Sequence, residues 1–333
     1  MKSKTSFCGL LEGFFSDRLL RQRNASPHTI ASYRDCLRLL LRFAQDRLGK
    51  APSQLALSDL DAPFIAAFLH HLEHNRGNSA RTRNARLAAI RSLFRYLAYE
   101  VPEHSALIQR VLAIPNKRWE QKPIDFLAPQ EATALLAAPD LHTRGGRRDR
   151  ALLLLAVQTG LRVSELVALN SEDLVLNAGS AYVRCQGKGR KQRLTPLRLR
   201  TATLLRDWRL ECEGLPGQPL FPNARGGRLS RDGVEHLLAK HVATAAVQCP
   251  GLLAKRISPH CLRHTAAMDL LQHGVDRTLI ALWLGHESVT TTEIYIHADM
   301  NLKEQILAKT SPCEVPPGRY RPGDRLLAFL DSL

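Results

Sequence analysis

The feature of this 333-residue chain that most constrains its fold is the stretch 258–299, where capping residues divide the sequence into short helices. Ser258 is a favourable N-cap and a proline takes the first helical position, so a helix is predicted over about 259–272. A second helix is predicted over about 277–283 and stops at Gly285, and a third short helix follows it. Three short helices in so few residues bring side chains from separate turns close together.

Four side chains suited to act on an anion lie in this stretch: His260, Arg263, His286 and Tyr295. A spacing of three puts the first imidazole and the guanidinium on one helix face near an N-terminus, where backbone N–H groups already favour an anion. A phosphodiester under attack gains charge on its oxygens, and the attacking phenol and the departing alkoxide each need a proton partner. That chemistry predicts a second Arg and a Lys elsewhere in the chain.

The first of these residues occurs in the motif 159-TGLRVSEL-166. A Thr-Gly pair ends a buried helix there, and Arg162 opens the next helix. Glu165 lies three residues on, on the same helical face, and can orient the guanidinium. Taken alone, the motif favours a helical hairpin with a surface arginine.

The second occurs in the motif QGKGRKQR, where two β-like runs, about 181–185 and 193–197, flank a Gly-Lys-Gly tip and predict a hairpin. The lysine at the tip is Lys188. Basic residues crowd it: Arg190, Lys191 and Arg193. The first two are predicted DNA contacts. Taken alone, the tip is equally well explained as a basic turn that contacts DNA without transferring a proton.

Two predicted amphipathic helices in the first third of the chain, about 27–48 and 79–99, carry rows of arginine. The arginines that face away from the apolar stripes are Arg34, Arg38 and Arg42 on the first helix and Arg81, Arg91 and Arg95 on the second. A solvated face is the alternative for either row alone. Two such rows in one basic domain favour contact with phosphates.

Positive charge is spread over the whole chain. Lysine and arginine number 47 against 31 acidic residues, a net charge of +16. Residues 1–115 carry 17 basic and 9 acidic residues, and residues 116–333 carry 30 and 22. A basic tail would concentrate the charge, whereas this distribution predicts two basic lobes on a polyanion. The alternative is a basic protein without such a partner.

The seven cysteines show neither CxxC nor a His/Cys metal spacing, and the sequence has no signal peptide. We therefore expect reduced thiols, no metal site and a cytoplasmic protein. An apolar helix is predicted over 62–74, and the three histidines at its end, His70, His71 and His74, are interpreted as surface histidines. The apolar runs are far shorter than the roughly 20 residues of a membrane span, so no membrane contact is expected.

The length predicts two domains, each long enough for its own core. The predicted segments are an N-terminal helical domain at 1–112, a basic proline-containing linker at 113–128, a second domain at 129–310 and a C-terminal tail at 311–333. The second domain is predicted to open with a capped helix over 129–138. A basic loop at 142–150 and a buried helix from Ala151 follow.

In chain order the six candidate residues are Arg162, Lys188, His260, Arg263, His286 and Tyr295. The motifs around them, TGLRVSEL, QGKGRKQR, SPHCLRHTAA and LGHESVTTTEIYIH, resemble the boxes of the tyrosine recombinase (phage integrase) family in order and spacing. The resemblance covers the chain to about residue 310, and the layout is most similar to Xer-like and transposon or integron-type members. The tail at 311–333 departs from the family pattern, which leaves subunit contacts through it open.

The resemblance implies a mainly helical fold with a small β-sheet. A SAM-like helical core-binding domain would precede an α/β catalytic domain of the DNA breaking-rejoining fold. It also implies double-stranded DNA as the partner, two protomers on each site and a tetramer on two sites, with an accessory protein or partner recombinase in some systems. No cofactor or metal is implied.

The resemblance further implies a role for each candidate residue. Tyr295 attacks a DNA phosphodiester and forms a 3′-phosphotyrosyl link, while the two arginines clamp the non-bridging oxygens. Lys188 is the general acid for the 5′ oxygen, His260 the base for the phenol and His286 a hydrogen-bond donor. The sequence does not decide which histidine is the base.

Two other functions use parts of the same residue set. A type IB topoisomerase-like enzyme would nick and reseal DNA without exchanging partners. A DNA-binding protein that has lost catalysis would have no reason to carry all six positions. The recombinase boxes and the modest length favour a site-specific recombinase or integrase that works through a Holliday junction.

Overall fold

The structure is a computed structural model that describes residues 6–119, 124–177, 180–187, 192–213, 215–285 and 292. The chain divides into two compact units, Met1–Gln121 and Lys122–Leu333. The described residues are mostly helical, with one small antiparallel sheet in the second unit. The predicted fold class, a mainly helical protein with a small sheet, is confirmed.

The N-terminal unit is built from helices: α1 (Phe7–Gly13), continued by a π-helical segment (Phe14–Gln22), α2 (Pro27–Leu48), α3 (Ala62–His74), α4 (Ala80–Glu100) and α5 (Ser105–Leu112). Short 3-10 turns lie at Pro52–Gln54, Leu57–Leu60 and Pro102–His104. The Ser26 hydroxyl accepts from the Thr29 N–H at the start of α2, and Ser79 caps α4 in the same way. These caps place the two arginine-bearing helices within a residue of their predicted bounds.

Aromatic side chains fill the core of this unit. Phe14, Phe68 and Phe94 are fully buried, and they come from three different helical segments. Phe14 stacks on Tyr33 with ring centroids 6.3 Å apart. Packing on the inner faces leaves the arginine-rich faces of α2 and α4 on the outside of the unit.

The segment predicted to be a linker is held at both of its described ends. Residues 113–119 lie against α4, where Asn84 donates to the Lys117 carbonyl at 2.7 Å and accepts from the Lys117 N–H at 3.0 Å. Residues 124–128 belong to the second unit, and Leu127 is buried in its core. The domain boundaries drawn from the sequence stay predictions.

The second unit contains most of the chain: α6 (Pro129–Ala137), α7 (Arg144–Thr159), α8 (Val163–Ala168), β1 (Leu174–Asn177), β2 (Ser180–Gln186), β3 (Gln192–Pro196), α9 (Leu199–Glu211), α10 (Arg231–Ala246), α11 (Pro259–Gln272) and α12 (Arg277–Leu284). Two 3-10 turns lie at Ser171–Asp173 and Pro250–Ala254. The core helix α7 packs against α9 and α11. None of the described helices in either unit is long and apolar enough to cross a membrane.

The sheet is an antiparallel meander in the order β1-β2-β3. The hairpin predicted from the sequence is β2 and β3, and Val183 on the central strand pairs with Leu174 on one side and Thr195 on the other. Strand β1 was not predicted. Its four residues are too few to show alternation clearly, and only pairing with β2 identifies them as a strand.

The basic loop predicted at 142–150 is wrong, because most of it forms the first turns of α7. Thr143 caps the helix by accepting from the Gly146 N–H at 3.0 Å. A Cβ on Gly146 would overlap the backbone of Asp140. Glycine is therefore needed at this position because two backbone segments lie close together, and not because the chain turns there.

Candidate active site

The turn between α7 and α8 places Arg162. Gly160 follows the last residue of α7 and takes a left-handed conformation with a φ of +62°. A Cβ on Gly160 would lie 2.5 Å from Leu284 Cδ2 and 3.2 Å from Ala266 Cβ. Both the backbone angle and the close packing require glycine. The turn therefore fixes Arg162 at the N-cap position of α8, where the sequence predicted it.

Glu165 orients Arg162, as the spacing of three predicted. Its carboxylate accepts from the Arg162 backbone N–H at 2.8 Å and from Arg162 Nη1 at 2.9 Å. The Glu165 side chain is 4% exposed and the Arg162 side chain 29% exposed. The guanidinium is therefore held from inside the protein while part of it faces outward.

Arg263 lies one turn into α11 and is 5% exposed. Its Nη1 donates to the Gly160 carbonyl at 2.6 Å, and its Nη2 donates to the Leu284 carbonyl at 2.8 Å. These acceptors lie at the C-terminal ends of α7 and α12, where backbone carbonyls have no partner within the helix and attract positive charge. Arg263 joins three helices through one guanidinium.

The end of α12 gathers three guanidiniums. Besides Arg263, Arg193 donates through Nη1 to the Leu284 carbonyl, and Arg162 donates through Nη2 to the Gly285 carbonyl at 3.2 Å. The structure thus brings together the two arginines that the sequence placed 101 residues apart. Two guanidiniums anchored on successive carbonyls form a positively charged surface suited to an anion.

Arg193 is a site residue that motif reasoning treated only as part of a basic turn. Its Nη2 also donates to Glu165 Oε2 at 2.9 Å, and its side chain is 14% exposed. Residues two apart on a strand face the same side, so Arg193 shares a face with Thr195, which is buried in the structure. The sequence carries no such signal, because Leu194, the apolar residue between them, lies on the exposed face.

His260 is exposed in the first turn of α11, and His264 follows one turn later. The two rings meet edge to face with centroids 6.1 Å apart. Burial, followed by the charges of His260 and Arg263, lowers the pKa of His264 to about 4. His264 is therefore neutral at neutral pH and adds no charge to the site.

Five of the predicted functional residues lie outside the described residues: Lys188, Arg190, Lys191, His286 and Tyr295. Their assignments stay predictions. Three described residues border them in the sequence. Gly187 directly precedes Lys188, Gln192, the first residue of β3, directly follows Lys191, and Gly285 directly precedes His286.

The arginine row on α2 is exposed, and its assignment as a DNA contact stays a prediction. Arg34 and Arg38 both approach Asp35 Oδ1, at 3.4 and 3.3 Å. These pairs are solvated and weak, so the guanidiniums can exchange the carboxylate for a phosphate. Arg42 is exposed one turn further on.

The row on α4 divides into two kinds of arginine. Arg81 and Arg95 are exposed. Arg91 is half-buried and donates to the Ile114 carbonyl and, at 3.0 Å, to Asn116 Oδ1. Burial, with the nearby charge of Arg95, lowers the pKa of Arg91. The structure therefore ties Arg91 to the segment after α5.

No group of three His, Cys, Asp or Glu side chains that could hold a metal ion occurs among the residues described above. Cys261, inside α11, is buried, and burial raises the pKa of its thiol to about 11. A thiol of that kind is protonated and packs as an apolar group.

Comparison with known proteins extends these observations to the whole chain. The phage integrase family model matches residues 125–301, and the model of the phage integrase N-terminal SAM-like domain matches residues 12–100. An integrase/recombinase designated y4rC, from Sinorhizobium fredii, is 56% identical over 333 residues, which is 100% of both chains. The tyrosine recombinase XerC of Pelotomaculum thermopropionicum is 33% identical over 301 residues, covering 87% of this chain and 94% of that one.

A solved structure agrees with the sequence matches. The XerH site-specific recombinase, bound to palindromic difH substrate in a post-cleavage complex, is similar with a TM-score of 0.70 and 25% identity, covering 86% of this chain and 81% of that one. Both predicted domain types and the predicted family therefore have independent support. This chain belongs to the phage integrase (tyrosine recombinase) family and is a site-specific recombinase.

Proposed function

We propose that this recombinase cuts and rejoins double-stranded DNA through a covalent 3′-phosphotyrosyl intermediate and exchanges strands through a Holliday junction. The observation that carries the proposal is the pair Arg162 and Arg263, anchored on neighbouring carbonyls at the end of α12. His286 directly follows Gly285, whose carbonyl anchors Arg162, and Tyr295 lies nine residues after His286. Guanidiniums fixed in advance stabilise charge that develops on a reacting phosphate.

The first chemical step forms one ester and breaks another. The phenol oxygen of Tyr295 attacks phosphorus, and the bond from phosphorus to the 5′ oxygen breaks. His260 accepts the phenol proton, and Lys188 gives a proton to the departing oxygen, which leaves as a 5′-hydroxyl. Because the phosphotyrosyl ester replaces the broken ester, the reverse reaction with another strand's 5′-hydroxyl needs no external energy source.

The arginines act on the transition state of this step. Arg162 and Arg263 neutralise the non-bridging oxygens, and His286 donates one more hydrogen bond to them. A guanidinium carries five N–H groups, so an anchored arginine can hold protein acceptors and also donate to an anion. Removing one such donor typically slows a reaction by about 10²–10³-fold.

The proposed partner is double-stranded DNA, and the XerH structure with its difH substrate supports this choice. The net charge of +16 favours a polyanion, and the exposed arginines of the rows on α2 and α4 are the proposed phosphate contacts. Exchange between two duplexes cuts four strands, and each cut needs its own tyrosine. We therefore propose two protomers on each site and four in the assembled complex, acting on DNA in the cytoplasm.

A suicide duplex tests the covalent step. The duplex carries the site recovered by mapping wild-type adducts, with a nick beside the cut so that the released short strand diffuses away. Wild-type protein is expected to accumulate a covalent adduct, and Tyr295→Phe is expected to form none. Tyr99→Phe, which removes an exposed phenol from α4, should react like the wild type. An adduct that persists in Tyr295→Phe would place the nucleophile elsewhere.

A further inference from the structure

Arg193 joins three segments that the proposed mechanism uses. It is the second residue of β3, and Lys188 precedes that strand by four positions in the sequence. Its Nη2 donates to Glu165, the residue that orients Arg162. Its Nη1 donates to the Leu284 carbonyl at the end of α12, two residues before His286.

The contacts of Arg193 are directional and largely shielded from water. The Glu165 and Arg193 side chains are 4% and 14% exposed, so this ion pair is screened far less than the surface pairs of the N-terminal unit. A guanidinium presents its two terminal nitrogens in a fixed fork. That fork fits the present geometry, in which one nitrogen meets a carboxylate and the other a helix-end carbonyl.

The surrounding backbone is shaped around this side chain. Gly285 adopts a φ of +65°, and a Cβ at that position would collide with Arg193 Nη1. A residue with a side chain at 285 would therefore displace the guanidinium from the end of α12. On the other side, Arg193 pairs in register with Cys185 of β2, which is buried. The position of β3 is consequently fixed from both the sheet and the helices.

We propose that Arg193 is a positioning residue that locks β3 against Glu165 and the end of α12, so that Lys188 reaches the 5′ oxygen of the cut strand. The inference rests on the proposed role of Lys188 as general acid. A general acid must come within about 2.6–3.2 Å of the atom that it protonates. A misplacement of about 1 Å can slow a reaction by roughly 10²-fold.

The two terminal nitrogens of Arg193 meet Glu165 and the Leu284 carbonyl. Arg162 and Arg263 are anchored on protein acceptors in the same way, so these contacts alone do not separate a positioning role from a direct role on the phosphate. The two roles differ in what they predict for the leaving group, because only a defect in proton delivery is corrected when the departing atom no longer needs a proton.

The decisive experiment compares two suicide duplexes that differ in one atom. One has the ordinary 5′-bridging oxygen at the mapped cut, and the other has sulfur there. A thiolate leaves without receiving a proton, because thiols are far more acidic than alcohols. A defect in proton delivery is therefore rescued by sulfur, whereas a defect in the arginine clamp, in DNA binding or in folding is not.

We expect Arg193→Ala to form adduct about 10²-fold more slowly on the oxygen duplex and within a few-fold of wild type on the sulfur duplex. Arg193→Lys keeps the charge and the aliphatic stem, but a single ammonium lacks the fork, so it should show a smaller defect with the same rescue. If the alanine variant does not fold, Arg193→Lys tests the positioning role in its place. Arg184→Ala, which removes an exposed arginine from the neighbouring strand, should behave like wild type on both duplexes.

Lys188→Ala separates the possible failures. If sulfur rescues Lys188→Ala but neither Arg193 variant, or if neither Arg193 variant is slow on oxygen, the positioning role is overturned and the proposed function stands. If sulfur rescues neither Lys188→Ala nor the Arg193 variants, the general-acid assignment fails and the positioning role fails with it. Rescue of both supports the inference.

Discussion

Glu165 governs the charge balance of the site at the scale of single residues. Its buried carboxylate accepts from both Arg162 and Arg193, while Arg263 reaches carbonyl oxygens instead. The negative charge of one carboxylate and the partial negative charges of the helix ends therefore neutralise only part of the positive charge of the three guanidiniums. The remaining positive charge is what a phosphate would neutralise.

Replacing Gly160 tests how tightly the turn before Arg162 is packed. Gly160→Ala places an L residue at a φ of +62° and a methyl group 2.5 Å from Leu284 Cδ2. Gly274→Ala, in the same unit at a φ of +78°, meets nothing within 4 Å and is the control. We expect the control to lose about 1–2 kcal/mol of unfolding free energy from its backbone angle. Gly160→Ala should lose about 1–3 kcal/mol more from overpacking.

The measurement is the urea dependence of tryptophan fluorescence, since Trp208 and Trp283 report on this unit. Equal losses in the two variants would mean that the turn tolerates a side chain against α12.

His264 makes the stability of the second unit depend on pH. Its pKa is lowered to about 4, below the ordinary value of 6.5, so the folded protein binds fewer protons than the unfolded chain between these values. The contribution of His264 to the free energy of unfolding is therefore fully present above about pH 6.5. It is lost progressively as the pH falls toward 4. His264→Gln should reduce the difference between urea midpoints measured near pH 7 and near pH 5. His236→Gln, at an exposed position of α10, should leave that difference unchanged. An unchanged difference in His264→Gln would assign the acid sensitivity to other groups.

Residue-scale prediction succeeded where contacts are local. The pairing of Arg162 with Glu165 follows from a helical spacing of three. The pairing of Glu165 with Arg193 spans 28 positions and depends on how β3 packs beside α8, which a single sequence does not reveal. The same holds for the anchoring of Arg263 on the end of α12.

At the scale of elements, α8 is short and is fixed at both ends. Arg162 and Glu165 form its N-terminal turn, and Arg228 lies at its C-terminal end. Arg228 Nη1 donates to the carbonyls of Val167 and Ala168 at 3.2 and 2.8 Å. A cation at this position satisfies carbonyls that lack helical partners.

Removing this cap should loosen the helix that presents Arg162. We expect Arg228→Ala to lose about 1 kcal/mol of unfolding free energy and to slow adduct formation on the suicide duplex. Arg225→Ala removes an exposed arginine from the same loop and is the control. Identical unfolding curves for the two variants would show that Arg228 does not stabilise α8.

Helices with strong caps were predictable as elements. The bounds of α3 and α11 agree with the sequence prediction, because an aspartate or serine cap and a proline mark each start. The sequence wrongly predicts a loop at the start of α7, because the Gly-Gly pair there is typical of turns. Strand β1 depends on pairing, which local pattern does not contain.

At the scale of the whole molecule, the spread of positive charge over both units predicts that both contact one polyanion. The affinity of the protein for DNA should therefore fall steeply as the salt concentration rises, because each neutralised phosphate releases counterions. Arg95→Ala should weaken binding and reduce the slope of log affinity against log salt by about 1. Arg91→Ala should leave that slope unchanged and instead destabilise the N-terminal unit, since Arg91 holds Ile114 and Asn116. A lower slope in Arg91→Ala, with unchanged stability, would reverse these two roles.

The central claim is that Tyr295 becomes covalently joined to the 3′ end of the cut strand. The most direct measurement is mass spectrometry of the wild-type adduct after nuclease and trypsin digestion. The tryptic peptide 278–303 contains a single tyrosine. We predict that this peptide carries a nucleotide through a 3′-phosphate on Tyr295. A nucleotide on any other residue, or one joined through a 5′-phosphate, would contradict the account.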